Sequence, residues 1–181
     1  MRAAATLFVV SVVLITGCAN MPGNSASEAK ERCHRRGVVK TCVPISPLSS
    51  AQIAEVRQLR GTSKVNSRIV IIRNDWFDVH GHAAVDLDGS PLVDTIPFST
   101  MAVDIDPGEH VLQAGPKTSA GLPLRLFSKP GEVAVVRLRR SFSRQDFLGF
   151  ALEQIDSHEG LRLVQECSVI AFLDRRVGSS K

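Results

Sequence analysis

Between residues 65 and 138 the chain is cut into short extended runs by turn-forming dipeptides, and this punctuation limits its fold more than any other feature. Residues 69–72, Ile-Val-Ile-Ile, form an unbroken β-branched run, the pattern of a strand buried on both faces. Ala83, Val85 and Leu87 alternate with Ala84 and Asp86 up to Asp88-Gly89. That dipeptide predicts a type I′ hairpin turn, because both residues tolerate positive φ. Met101, Val103 and Ile105 alternate with Ala102, Asp104 and Asp106 before Pro107-Gly108, which places both acids on an expected solvated face. Residues 110–114, 122–127 and 133–138 continue the series, the last behind Pro130-Gly131 and with Arg137 and Arg139 on its outer side. Residues 150–155 also read as extended. Short strands with Gly and Pro between them predict a sandwich or barrel. The expected class is mainly β, a small antiparallel β-sandwich over residues 65–175 with one or two short flanking helices.

Two segments carry helix signals. Ser49 and Gln52 stand in capping-box spacing, Ile53, Val56 and Leu59 follow at helical intervals, and Gly61 supplies a stop, which predicts a short helix and linker over residues 51–64. Asp156 and Glu159 repeat the spacing ahead of Leu161 and Val164, with Gly160 weakening the first turn by up to about 1 kcal/mol relative to Ala.

The N-terminus reads as an address. Residues 3–15 are uncharged and apolar behind Arg2, too short for the roughly 20 residues of a membrane span and suited to the core of a secretory signal. The segment ends in Ile15-Thr16-Gly17-Cys18, which resembles the lipobox of bacterial lipoproteins. The resemblance implies a signal peptide over 1–17 and a mature chain that begins at Cys18, acylated on its thiol and its amino group. It implies a lipid anchor in the membrane, and Ala19 after the cysteine resembles the outer-membrane default of Gram-negative lipoproteins. The expected location is the periplasmic face of the outer membrane. Residues 18–50, with Asn20, Pro22, Gly23, Asn24, Ser25 and Ser27, have the composition of a flexible lipidated tether.

A second resemblance rests on Val85-Asp86-Leu87-Asp88-Gly89, on residues 103–112 with their Pro107-Gly108-Glu109-His110 strand start, and on the strands over 68–73 and 132–138. These are similar to PEGA-like and related modules of unknown function in Gram-negative lipoproteins. The resemblance covers roughly residues 65–165 and implies a β-sandwich in the cell envelope, with no activity attached.

Charge and cysteines bound the partners. The chain has 22 Lys and Arg against 18 Asp and Glu, and losing Arg2 with the signal leaves 21 against 18, a formal +3. Basic residues cluster at Arg32, Arg35, Arg36 and Lys40, again at Arg137, Arg139, Arg140 and Arg144, and at Arg175 and Arg176. With no Tyr and one Trp there is no basic and aromatic interleaving of the kind that stacks bases, and no nucleic-acid partner is expected. An exported chain meets an oxidising compartment, where Cys33 and Cys42 could close a local loop that contributes roughly 2–3 kcal/mol. Cys42 with Cys167 is the rival pairing, since spacing does not set connectivity. Cys167 precedes the apolar residues 169–173 and reads as a buried small hydrophobe.

Chemical signals are sparse. Asp78, His80 and His82 could share a metal if they lay on one strand face, although Gly81 between the histidines favours a loop beside Trp76 and Phe77. There is no Gly-x-Ser-x-Gly elbow, and Asp86-x-Asp88-Gly89 lacks the further acids of a calcium loop. The leading expectation is a non-enzymatic, lipid-anchored envelope protein that needs no cofactor and whose sandwich binds or scaffolds another envelope component, protein or glycan. The alternative is a metal-dependent envelope enzyme with its site near Asp78, His80 and His82.

Overall fold

Every residue of the strand Ser67–Arg73 is buried, as the β-branched run predicts. The computed structural model describes residues 31–45, 47–61, 63–75, 81–115, 122–141 and 149–177. In chain order the elements are β1 (Glu31–Arg36), β2 (Val39–Pro44), α1 (Ser50–Arg57), β3 (Ser67–Arg73), β4 (Val85–Leu87), β5 (Ser90–Pro91), β6 (Ser99–Ile105), β7 (Gly108–Ala114), β8 (Leu124–Ser128), β9 (Val133–Arg140), β10 (Phe150–Ile155), α2 (Ser157–Gln165) and β11 (Ser168–Asp174). They build a mainly β sandwich: a five-stranded sheet in the order β10-β9-β3-β6-β11 faces a four-stranded sheet in the order β5-β4-β7-β8.

The side-chain period of two gives the larger sheet two apolar faces. Ile69, Ile71, Met101, Val103, Val136 and Leu138 pack toward Val85, Leu87, Leu112 and Leu126 of the smaller sheet. Val70, Ile72, Ala102 and Val135 point the other way, where Val56 of α1 and Leu163 and Val164 of α2 cover them. The layers are therefore helices, five strands, four strands. The smaller sheet is antiparallel throughout. The larger one is mixed, which alternation alone does not reveal: β9 runs parallel to β3, and β11 parallel to β6. The topology explains why, since β9 and β10 form one edge and α2 then carries the chain to the opposite edge for β11.

Both helix starts follow the local signals. Ser49 and Gln52 form the capping box, with the Gln52 amide donating to Ser49 Oγ at 3.2 Å and the Ser49 amide donating to Gln52 Oε1 at 2.9 Å. The stop comes earlier than Gly61, at Leu59, which takes φ +48. Gly61 serves a different need: a Cβ there would sit 2.9 Å from the Gly131 carbonyl oxygen, so the chain passes the Pro130-Gly131 turn at backbone distance. Asp156 caps α2 by accepting from the amides of His158 and Glu159, both at 2.9 Å, and the Glu159 bond holds its carboxyl below the ordinary Asp range. The Glu159 side chain lies 3.3 Å from Arg137 of β9. Gly160, costly for an isolated helix, lets α2 sit directly on β9, since a Cβ would lie 2.8 Å from Val135 Cγ1.

Two expectations are corrected. The segment read as tether contains the β1–β2 hairpin, with Cys33 opposite Cys42 and joined to it by a disulfide. Val43 of this hairpin is fully buried in the core between the sheets, so the ordered domain begins well before residue 50. Polar composition hid it, because a hairpin packed on one face needs few apolar residues of its own. The second correction concerns Asp104, expected on a solvated face and in fact 5% exposed. Its oxygens accept from Arg68 Nε at 2.6 Å and Nη2 at 3.2 Å, and Arg68 is itself 1% exposed. Arg68 also donates to Glu55 Oε2 at 3.1 Å and to the Arg60 carbonyl at 2.7 Å, and lies 4.6 Å over the Phe172 ring.

Removing one member of a buried pair strands the other, at a cost of about 3–5 kcal/mol. Arg68→Met should lower the unfolding free energy by about that amount in urea titration, and adding Asp104→Leu should restore part of it. A single-variant loss below about 1 kcal/mol, the scale of an exposed pair, would contradict the buried-pair description.

Candidate binding cleft

The turn between β4 and β5 takes the form its residues predict, with Asp88 at φ +51 and Gly89 at φ +77 between the paired residues Leu87 and Ser90. This backbone accounts for Asp88-Gly89 without an ion. It also aims the Asp88 carboxylate across at β7. Asp88 Oδ1 accepts from the Val111 amide at 2.8 Å, and Oδ2 lies 2.7 Å from His110 Nδ1. The other ring nitrogen of His110 lies 2.8 Å from the Asp106 carbonyl oxygen. On the facing side the Arg175 amide donates to the Asp104 carbonyl at 2.8 Å, and its guanidinium donates to the Pro91 carbonyl at 2.9 Å.

Together these groups rim a cleft of about 230 Å³ at one end of the sandwich. Leu87, Leu92 and Ile105 make its apolar wall, and Asp88, Ser90, His110 and Arg175 its polar edge. The volume lies below the roughly 300 Å³ at which drug-sized ligand pockets begin and suits no more than one side chain or one small ring, against a lining that is about half polar.

Ser90, His110 and Asp88 invite comparison with a nucleophile, base and orienting acid. The geometry does not provide that chemistry, because activation of a serine needs the second ring nitrogen of the histidine facing the hydroxyl. Here that nitrogen faces a backbone carbonyl. Both ring nitrogens meet acceptor oxygens, so His110, 13% exposed as a side chain, clamps the turn after β6 to the turn after β4.

Of the residues singled out as metal ligands, only His82 is among the described residues, and it does not line this cleft. Asp78 and His80 lie outside the described residues, as do Cys18, Trp76 and Phe77. His82 is exposed, with Nδ1 3.8 Å from Asp94. It follows Gly81, whose carbonyl accepts from Arg73 at the end of β3 opposite the cleft. Among the described residues, Glu31, Cys33 and Cys42 bring three ligand-type atoms together, but the disulfide occupies both sulfurs. Local spacing could not have found the cleft, because residues 88, 110 and 175 meet only through the pairing of β4 with β7 and of β11 with β6. No family, no curated protein and no solved structure matches this chain.

The free thiol of Cys167 is buried within the helix-side core, 3.8 Å from the Arg73 carbonyl. Burial pushes it up to about 12, with the Glu166 charge adding to the effect. Since the thiolate is the reactive form, Cys167 should resist iodoacetamide at pH 8 in the native protein and react on denaturation. The folded state keeps this thiol neutral while the unfolded chain ionises it near pH 9, so its contribution to stability is lost as pH rises from about 9 to about 12. Rapid native labelling at pH 8 would contradict the burial.

Proposed function

We propose that this chain is a lipid-anchored protein of the cell envelope, acylated at Cys18, whose β-sandwich binds or scaffolds a protein or glycan of that compartment. The reading places it on the periplasmic face of the outer membrane. The observation that carries it is the order of Arg2, the apolar residues 3–15 and Ile15-Thr16-Gly17-Cys18 at the N-terminus. The Cys33–Cys42 disulfide supports it independently, because such bonds persist in oxidising compartments and are rare in reducing ones. The turn and strand that resemble PEGA-like modules frame the cleft, with Asp88 and His110 on its edge. The bonded pair Asp88 and His110 and, separately, Arg175 edge an apolar wall, which supports recognition, and both ring nitrogens of His110 already face acceptor oxygens.

Cys18→Ser should shift the protein from the membrane fraction to the soluble fraction, or leave it as an unprocessed precursor. Continued palmitate labelling of that variant would overturn the assignment. Cross-linking in intact cells followed by mass spectrometry should recover an envelope component, and Arg175→Glu should reduce its yield. Stoichiometric zinc in the purified protein, lost in His80→Ala, would instead establish the metal-enzyme reading.

A further inference from the structure

The β1–β2 hairpin divides its side chains between two faces. Val43 enters the core between the sheets, and on the same face the His34 ring lies 5.3 Å from Phe98. The opposite face presents Cys33, Arg35 and Lys40, with Arg35 directly across from Lys40. At the tip Gly37, at φ +58, and Val38 form a two-residue turn between Arg36 and Val39. Val38 is 96% exposed and Val39 39%. Over residues 31–44 there are four basic residues and one acidic, of which Arg35, Lys40 and the acid Glu31 share the outer face. The Lys40 ammonium lies 3.5 Å from that acid, Glu31, in an exposed contact that water screens.

Apolar residues projecting between cations are the chemistry of a membrane interface: the apolar group enters the headgroup boundary while the charges meet lipid phosphates. A disulfide across the strands keeps this shape without help from a large core. The location agrees. Twelve residues separate Cys18 from Glu31, and those thirteen steps span at most about 47 Å, so an anchor at Cys18 keeps the hairpin, the first described element, within reach of the bilayer. The hairpin packs at the Phe98 end of β6, whereas the cleft lies at its Ile105 end.

From the exposed valine tip, the basic face and the short reach to Cys18, we infer that the hairpin docks on an anionic lipid surface. Val38 at the tip lies at the headgroup boundary, Arg35 and Lys40 over the phosphates, and the cleft at the far end of the sandwich remains open to a partner. This rests on the acylated Cys18 of the proposed function.

The test uses the full chain as isolated from membranes, carrying Val38→Trp and reconstituted in vesicles of brominated phosphatidylcholine with or without phosphatidylglycerol. The unsubstituted chain, whose single tryptophan is Trp76, supplies the background. Quenching of the added emission should be at least about twofold deeper in the anionic vesicles, as expected where basic residues near the surface add attraction. It should fall to the neutral level in about 0.5 M salt, where charges are screened within a few ångströms, and in the Arg35→Glu, Lys40→Glu background. Equal quenching in the two vesicle types, or none in either, overturns the inference. Palmitate incorporation at Cys18 is read on the same preparation. Its absence overturns the anchor, while anionic-dependent quenching still decides the hairpin.

Discussion

The buried Arg68 guanidinium conditions most of this structure. A charge in a sheet interior is tolerated only when paired and hydrogen-bonded on every side. Arg68 achieves this by drawing on three elements, with Asp104 from β6, Glu55 from α1 and the Arg60 carbonyl from the segment after α1. Phe172 of β11 closes the remaining face. The central strand therefore accepts its neighbours in one register, and the helix layer is tied to the sheet by a directional contact as well as by apolar area. Arg73, at the other end of the strand, reaches the segments that flank β4 and β5. It donates to the Thr95 and Gly81 carbonyls and lies 5.1 Å over Phe150.

Much of the sandwich was legible in the sequence because its signals are local. The β-branched run, the Asp88-Gly89 turn and the Ser49 capping box each act over two to five residues, and each appears where its chemistry predicts. What escaped was set by distant partners. Arg68 and Arg73 bracket the buried run and look like solvated strand ends, and only Asp104, thirty-six residues on, shows otherwise. The parallel pairings depend on where α2 delivers the chain, which no spacing within a strand reveals. The cleft was illegible for the same reason, since its Asp, His and Arg belong to three strands or turns. The hairpin at 31–44 was hidden by its polar, basic composition, although the Cys33 and Cys42 pairing that staples it was among the readings the spacing allowed.

The hairpin and the cleft lie at opposite ends of the sandwich. One end carries the stapled basic hairpin, close in sequence to Cys18, and the other carries the cleft between the turn after β4 and the turn after β6. The rigid sheets between them keep these surfaces apart. On the function proposed above, such a module needs no moving part to hold a partner at a set distance from a bilayer, and the Asp88, His110 and Arg175 edge is the surface that would select it.

The central claim is that the chain acts in the envelope from an acylated Cys18, and mass spectrometry of the N-terminal peptide of protein isolated from its native membranes addresses it most directly. The account predicts a peptide that begins at Cys18 and carries diacylglycerol on sulfur and an acyl group on nitrogen. A peptide that begins at Met1, or one that contains an unmodified Cys18 within a longer chain, would contradict it.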